Sequence, residues 1–162
     1  MKKVIIFSCL IALLGACSSQ AVKPLDSPTT ASLPKKEESM SINPLNDPNN
    51  ILSKRSIYFE YDKYDIKSEY MDLIDAHANF LQKNSKVKIT IQGNADDRGS
   101  HEYNLALGQR RAVALKKAFN VKGVSDNQIE TVSFGEEKPK AEGNSEQSWS
   151  QNRRDDIVYQ GE

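Results

Sequence analysis

Apolar residues fall at strand spacing in four short stretches of the chain and at helical spacing in two longer ones. Ser56-Ile57-Tyr58-Phe59-Glu60-Tyr61 is rich in β-branched and aromatic side chains and predicts a first strand. Ile66, Tyr70, Leu73, Ile74, His77, Phe80 and Leu81 then recur at intervals of three and four, as in a helix with one apolar face. In Lys86-Val87-Lys88-Ile89-Thr90-Ile91-Gln92 the apolar residues share one side and the polar ones the other, so the sheet is covered on one face only. After a polar loop, a second helix is expected over residues 100–120, with Ser100 as its N-cap and Gly123 at its exit. Residues 129–134 predict a third strand, residues 145–151 around Trp149 a short helical piece, and residues 156–160 a fourth strand. That order predicts an α/β (α+β) sandwich of roughly 105 residues, helices packed on one face of a mixed four-stranded sheet.

The segments before this domain have a different composition. Lys2 and Lys3 precede an apolar run from Val4 to Leu14, too short for the roughly 20 residues of a spanning helix, and Gly15-Ala16 precede Cys17. Residues 1–16 are therefore expected to be a secretory leader. Leu14-Gly15-Ala16-Cys17 resembles the bacterial lipobox, which implies cleavage before Cys17 and a covalent lipid on it; the rival reading is an ordinary leader with an incidental cysteine. Several acyl chains, at about 0.8 kcal/mol per buried CH₂, would make the attachment effectively permanent. Inner-membrane lipoproteins of enteric bacteria tend to carry Asp after the cysteine, so with Ser18 there the resemblance implies the outer membrane, with the domain facing the periplasm. Five of the six prolines lie between Ser18 and Ser53, and no aromatic residue occurs there. Residues 17–53 are thus expected to be a lipidated cysteine and flexible tether, and residues 54–162 the folded domain. Such a tether of about 35 residues would relax to roughly 30 Å and extend to about 120 Å.

Charge and chemistry exclude several classes of function. The 22 basic residues balance 22 acidic ones, so no net charge draws the chain to nucleic acid. Arg153-Arg154 is followed directly by Asp155-Asp156. No cysteine follows Cys17, leaving the mature chain no internal disulfide, thiol nucleophile or thiolate metal ligand. Asp96 and Asp97 are adjacent, so their side chains diverge rather than flank one bond, and no Ser/His/Asp order or G-x-S-x-G elbow is present. His77 falls on the apolar face of its helix and His101 on the surface. No enzyme, metal site or soluble cofactor is expected, the only added group being the lipid on Cys17.

One stretch concentrates chemistry. A strand ends at Gly93, Asn94-Ala95-Asp96-Asp97-Arg98-Gly99 makes a loop, and the next helix carries Asn104, Leu107 and Arg111 on one side. A carboxylate, an amide and a guanidinium can converge there on a zwitterion: Arg111 suits a carboxylate and Asp96 an ammonium. A plain Asp96–Arg111 salt bridge tying loop to helix is the alternative that local chemistry leaves open.

Asn104, Leu107, Gly108, Arg111 and Ala112 resemble the signature of the OmpA-like peptidoglycan-binding domain, as do the stretch from Phe59 to Ile66, Asp75-Ala76-His77-Ala78-Asn79-Phe80-Leu81 and Asn152-Arg153-Arg154. The resemblance spans residues 56–159 and implies a βαβαββ domain that binds, without cutting, the diaminopimelate of peptidoglycan stems. By motif position it implies that Asp96 and Arg111 hold the ammonium and carboxylate, that Asn104 adds a polar contact, that Asp62 flanks the site, and that Tyr61 and Leu107 are walls. Lipoproteins of this family also imply Tol-system partners, TolB and TolA, and a role in drawing in the outer membrane at division. A periplasmic docking module whose main ligand is such a partner is the rival reading. Asn94 stands where many members have His, and Asp155 where an apolar or small residue is usual.

Overall fold

The computed structural model describes residues 43–161. The expected leader, Cys17 and most of the expected tether lie outside the described residues. Four strands, β1 (Ser56–Tyr58), β2 (Ile89–Asn94), β3 (Ile129–Gly135) and β4 (Arg154–Tyr159), form one sheet in the order β1-β4-β2-β3. β2 and β3 are parallel, joined through the helix α2 (His101–Val121), whereas β4 runs antiparallel to both β1 and β2. Its four strands are those the apolar pattern predicts, and the sheet is mixed.

The helices form where the pattern places them, and two of the three open on a serine cap. α1 (Met71–Lys83) follows a 3₁₀ turn at Ser68–Tyr70 and buries Leu73, Ile74, His77, Ala78 and Leu81. α2 opens on the N-cap Ser100, whose hydroxyl accepts from the Tyr103 amide, and buries Leu107, Ala112, Leu115 and Phe119. Gly123, at φ +91°, follows its last turn. α3 (Glu146–Asn152) is capped in the same way by Ser145. Against these helices the sheet presents Ile57, Ile89, Ile91, Ile157 and Tyr159, all almost wholly buried, each aliphatic side chain contributing about 1.5–3 kcal/mol. His77 is closed off in this core: one ring nitrogen meets the Tyr159 hydroxyl at 2.6 Å, the other the Lys54 carbonyl at 2.9 Å, and burial lowers its pKa.

Three boundaries differ from those read in the sequence. β1 stops at Tyr58 rather than Tyr61, because the Phe59 amide turns to the Arg153 carbonyl (2.9 Å) and the chain reverses at Asp62, φ +55°. β4 begins two residues early, at Arg154, so that Asp155 lies in the ladder opposite Ile57 and Gly93. Before residue 54 the chain already packs: Leu45 and Leu52 join the core, Asn50 caps a 3₁₀ turn at Ile51–Ser53, and Arg55 donates to the Leu45 carbonyl. Two leucines with capped turns supply the burial that the proline-rich composition masks.

β2 and α2 approach closely at two glycines. A methyl group on Gly93 would meet the Gly108 carbonyl oxygen at 2.0 Å, and one on Gly108 would meet the Ser133 hydroxyl at 2.4 Å. Only glycine at both positions lets helix and sheet backbones touch.

Candidate functional site

β2 and α2 set the site between them. At the Gly93/Asn94 register shift β2 leaves the sheet, the Ala95 amide bonding the Gly135 carbonyl at 2.7 Å, and the loop then folds back onto its own carboxylate. Asp96 accepts from the Arg98 amide (3.2 Å), from the Arg98 guanidinium (2.6 Å) and from Arg153 (3.2 Å). Burial alone would raise its pKa, yet these bonds from two arginines outweigh it and hold the carboxyl below its ordinary value. Arg153 also donates to the Phe59 carbonyl and to Glu146, so one guanidinium ties β1, the loop and α3 together.

Arg111, fully buried in the third turn of α2, faces this cluster without joining it. Its three nitrogens donate to backbone carbonyls of Lys63 (2.8 Å), Asn94 (2.8 Å) and Glu60 (3.2 Å), and its plane lies 5.0 Å from the Phe59 ring. Burial lowers its pKa to about 10, partly offset by Asp155 and Asp96, so it stays charged at neutral pH. Three of its five N–H groups are used, leaving one on each terminal nitrogen. The Asp96–Arg111 salt bridge that the sequence left open is not formed: Asp96 pairs with Arg98 and Arg153.

These groups enclose a cavity of about 160 Å³, room for the end of one amino-acid side chain. Asp62, Asp96 and Arg111 line it, with Tyr61 and Leu107, so five of the six positions read from the sequence meet there. Asn104 does not. It points its amide at Glu136, leaves its carbonyl oxygen without a partner, and lies beside Gly99. Its place is behind the loop.

Besides Gly99, three lining residues escaped the sequence reading of the site: Arg98, Tyr103 and Arg153. Tyr103 donates to Asp62, fixing the carboxylate that follows β1. Arg98 is stacked between Tyr61 and Trp149, 4.1 and 4.0 Å from the two rings, while the Trp149 indole donates to Asp97 at 2.6 Å. The Asn152-Arg153-Arg154 motif carried a signal for Arg153; pairing partners 57 residues apart, Asp96 and Arg153, carry none in the sequence. The lining thus holds three guanidiniums and two carboxylates, a surplus of one positive charge. A small group with a carboxylate, with or without an ammonium beside it, fits that balance.

The chain's relatives agree with the fold. The family model described as "OmpA family" matches residues 58–153. A peptidoglycan-associated lipoprotein of Pasteurella multocida is 39% identical over 98% of this chain and 98% of its own. One of Pseudomonas putida is 50% identical over 63% of this chain and 61% of its own. The crystal structure of the peptidoglycan-associated lipoprotein from Burkholderia pseudomallei is 53% identical, covers 73% of this chain and 100% of its own, and superposes with a TM-score of 0.72.

Proposed function

The chain belongs to the OmpA family, and we propose that it is an envelope lipoprotein that binds peptidoglycan non-covalently through the cavity around Arg111. The observation that supports this most is the buried guanidinium itself. Held by three carbonyls and facing a small pocket with a surplus positive charge, Arg111 keeps an N–H on each terminal nitrogen for an incoming carboxylate. The ammonium of the same ligand centre meets Asp62 and Asp96. A diaminopimelate stem residue presents both groups on one carbon at the end of a flexible side chain. A lysine-type stem lacks the carboxylate and would leave Arg111 desolvated without an anion, a mismatch of several kcal/mol. Asn104 supports the loop in this reading and does not touch the ligand.

In this proposal Cys17 carries the lipid, residues before the domain bridge the distance to an outer membrane, and the domain holds the wall from the periplasmic side. TolB and TolA are the partners in that compartment, coupling the wall grip to inward movement of the membrane at division. The deciding measurement is calorimetric titration of the full chain with a diaminopimelate-containing stem peptide and with its lysine counterpart. Saturable binding of the first alone supports the pocket; equal binding of both, or of neither, removes it. Cys17→Ser should release the chain from membranes, and retention in the membrane fraction would refute the anchor.

A further inference from the structure

Beyond the cavity mouth, the outer side of α2 continues as a shallow groove of about 540 Å³ whose position and charge the pocket reading does not use. Arg110, Val113, Ala114 and Lys117 lie on one face of the helix, at helical spacing, and Tyr64 and Ile66 close the other side. Groove and cavity adjoin at Arg110. The Arg110 guanidinium lies 5.6 Å from the ring of Tyr103, which lines the cavity, and 5.9 Å from the ring of Tyr64, which lines the groove. Exposed aromatic surface gathers at this junction: Tyr61, Tyr64 and Tyr103 are 56, 47 and 42% exposed. Arg110 and Lys117 form no ion pair among the described residues, and Asp65 is the single acidic residue of the groove.

We propose that this groove seats the acidic part of the same stem peptide, the free carboxylate of the residue preceding the diamino acid lying against Arg110 and Lys117. The inference rests on the pocket reading above. Length and charge carry it: Arg110 to Lys117 spans about 10 Å along the helix, the reach of about three extended residues. In the wall polymer the residue before the diamino acid is linked through its side-chain carboxyl, so its α-carboxylate stays free, and a small apolar residue precedes it. A carboxylate followed by a methyl group matches two cations flanking Val113 and Ala114. Asp65 accepts from a backbone amide of the peptide.

The test compares three ligands on the full chain by calorimetry: free diaminopimelic acid, the stem tripeptide, and the tripeptide with its free acidic carboxyl converted to an amide. The intact tripeptide should bind about five- to tenfold more tightly than free diaminopimelic acid, the gain expected of two partly exposed ion pairs. That gap should vanish for the amidated peptide and in the Arg110→Gln/Lys117→Gln variant, whose affinity for free diaminopimelic acid stays unchanged and reports an intact fold. A gap that survives amidation or the double substitution overturns the groove assignment and leaves the pocket standing; an unsubstituted chain that binds none of the three overturns both. Should the double substitution alter only self-association in sedimentation, the groove is a contact between copies and the proposal fails.

Discussion

Two buried carboxylates sit on either side of Arg111 and behave in opposite ways. Asp96 is 4% exposed and accepts three hydrogen bonds from Arg98 and Arg153, which hold its pKa down. Asp155 is wholly buried in β4, neither of its oxygens has a partner, and burial, only partly countered by the nearby Arg111, raises its pKa well above the ordinary value. Proximity to a guanidinium therefore does not make an ion pair. Arg111 spends its hydrogen bonds on carbonyls and none on Asp155, whose burial raises its pKa.

Breaking the satisfied member of this comparison should cost most. Asp96→Ala takes the buried anion from both Arg98 and Arg153, leaving them only the exposed Glu146, and should destabilise the domain by about 3–5 kcal/mol, read as a drop in denaturation midpoint at constant slope. Arg111→Ala should weaken stem-peptide binding by about 2–5 kcal/mol in titration, since the pocket loses its one uncommitted cation. Asp155→Val, close in shape, should go the other way: removing an unpartnered buried carboxyl stabilises by about 1–3 kcal/mol at neutral pH. Trp149→Phe, which deletes the hydrogen bond to Asp97 while keeping a ring over Arg98, should cost only about 1 kcal/mol.

The pH dependence sharpens the same contrast. A depressed carboxyl such as Asp96 contributes stability present above its unfolded pKa and lost as pH falls through its folded value. A raised one such as Asp155 contributes stability present in full below about pH 4 and lost as pH rises towards its folded value. Stability of the unsubstituted chain minus that of Asp155→Val should therefore fall with increasing pH above about 4. A difference independent of pH would show that Asp155 ionises as freely in the fold as out of it.

Much of the fold was legible because each helix shows its period over several turns. His77 could be assigned to the core from its place on the apolar face alone, and Ser100 to the cap from its position before α2. Strand ends were not, since Phe59, Glu60 and Tyr61 have strand-like chemistry while Phe59 bonds to Arg153 and the Glu60 carbonyl accepts from Arg111, which only the folded chain brings near. Asp155 reads locally as a turn or surface residue; its burial comes from the register with Ile57 and Gly93. In the site, Asp96, Arg111, Asp62, Tyr61 and Leu107 could be named, but the partner of each charge could not. Spacing along α2 placed Asn104 on the cavity side, whereas in the fold it lies beside Gly99, outside the cavity lining, and donates to Glu136.

The contact of Gly93 with Gly108 bears on mechanics. In the function proposed above, a tether would transmit pull, and the residues gripping the wall would have to keep their spacing under tension. Asp96 hangs from the strand that contains Gly93 and Arg111 from the helix that contains Gly108, three residues from each glycine. With backbone set against backbone at that point, no soft side chain lies between the two halves of the grip to stretch or slide. The jaws are hinged at a rivet, and a force that opens them must first lift a helix off a sheet.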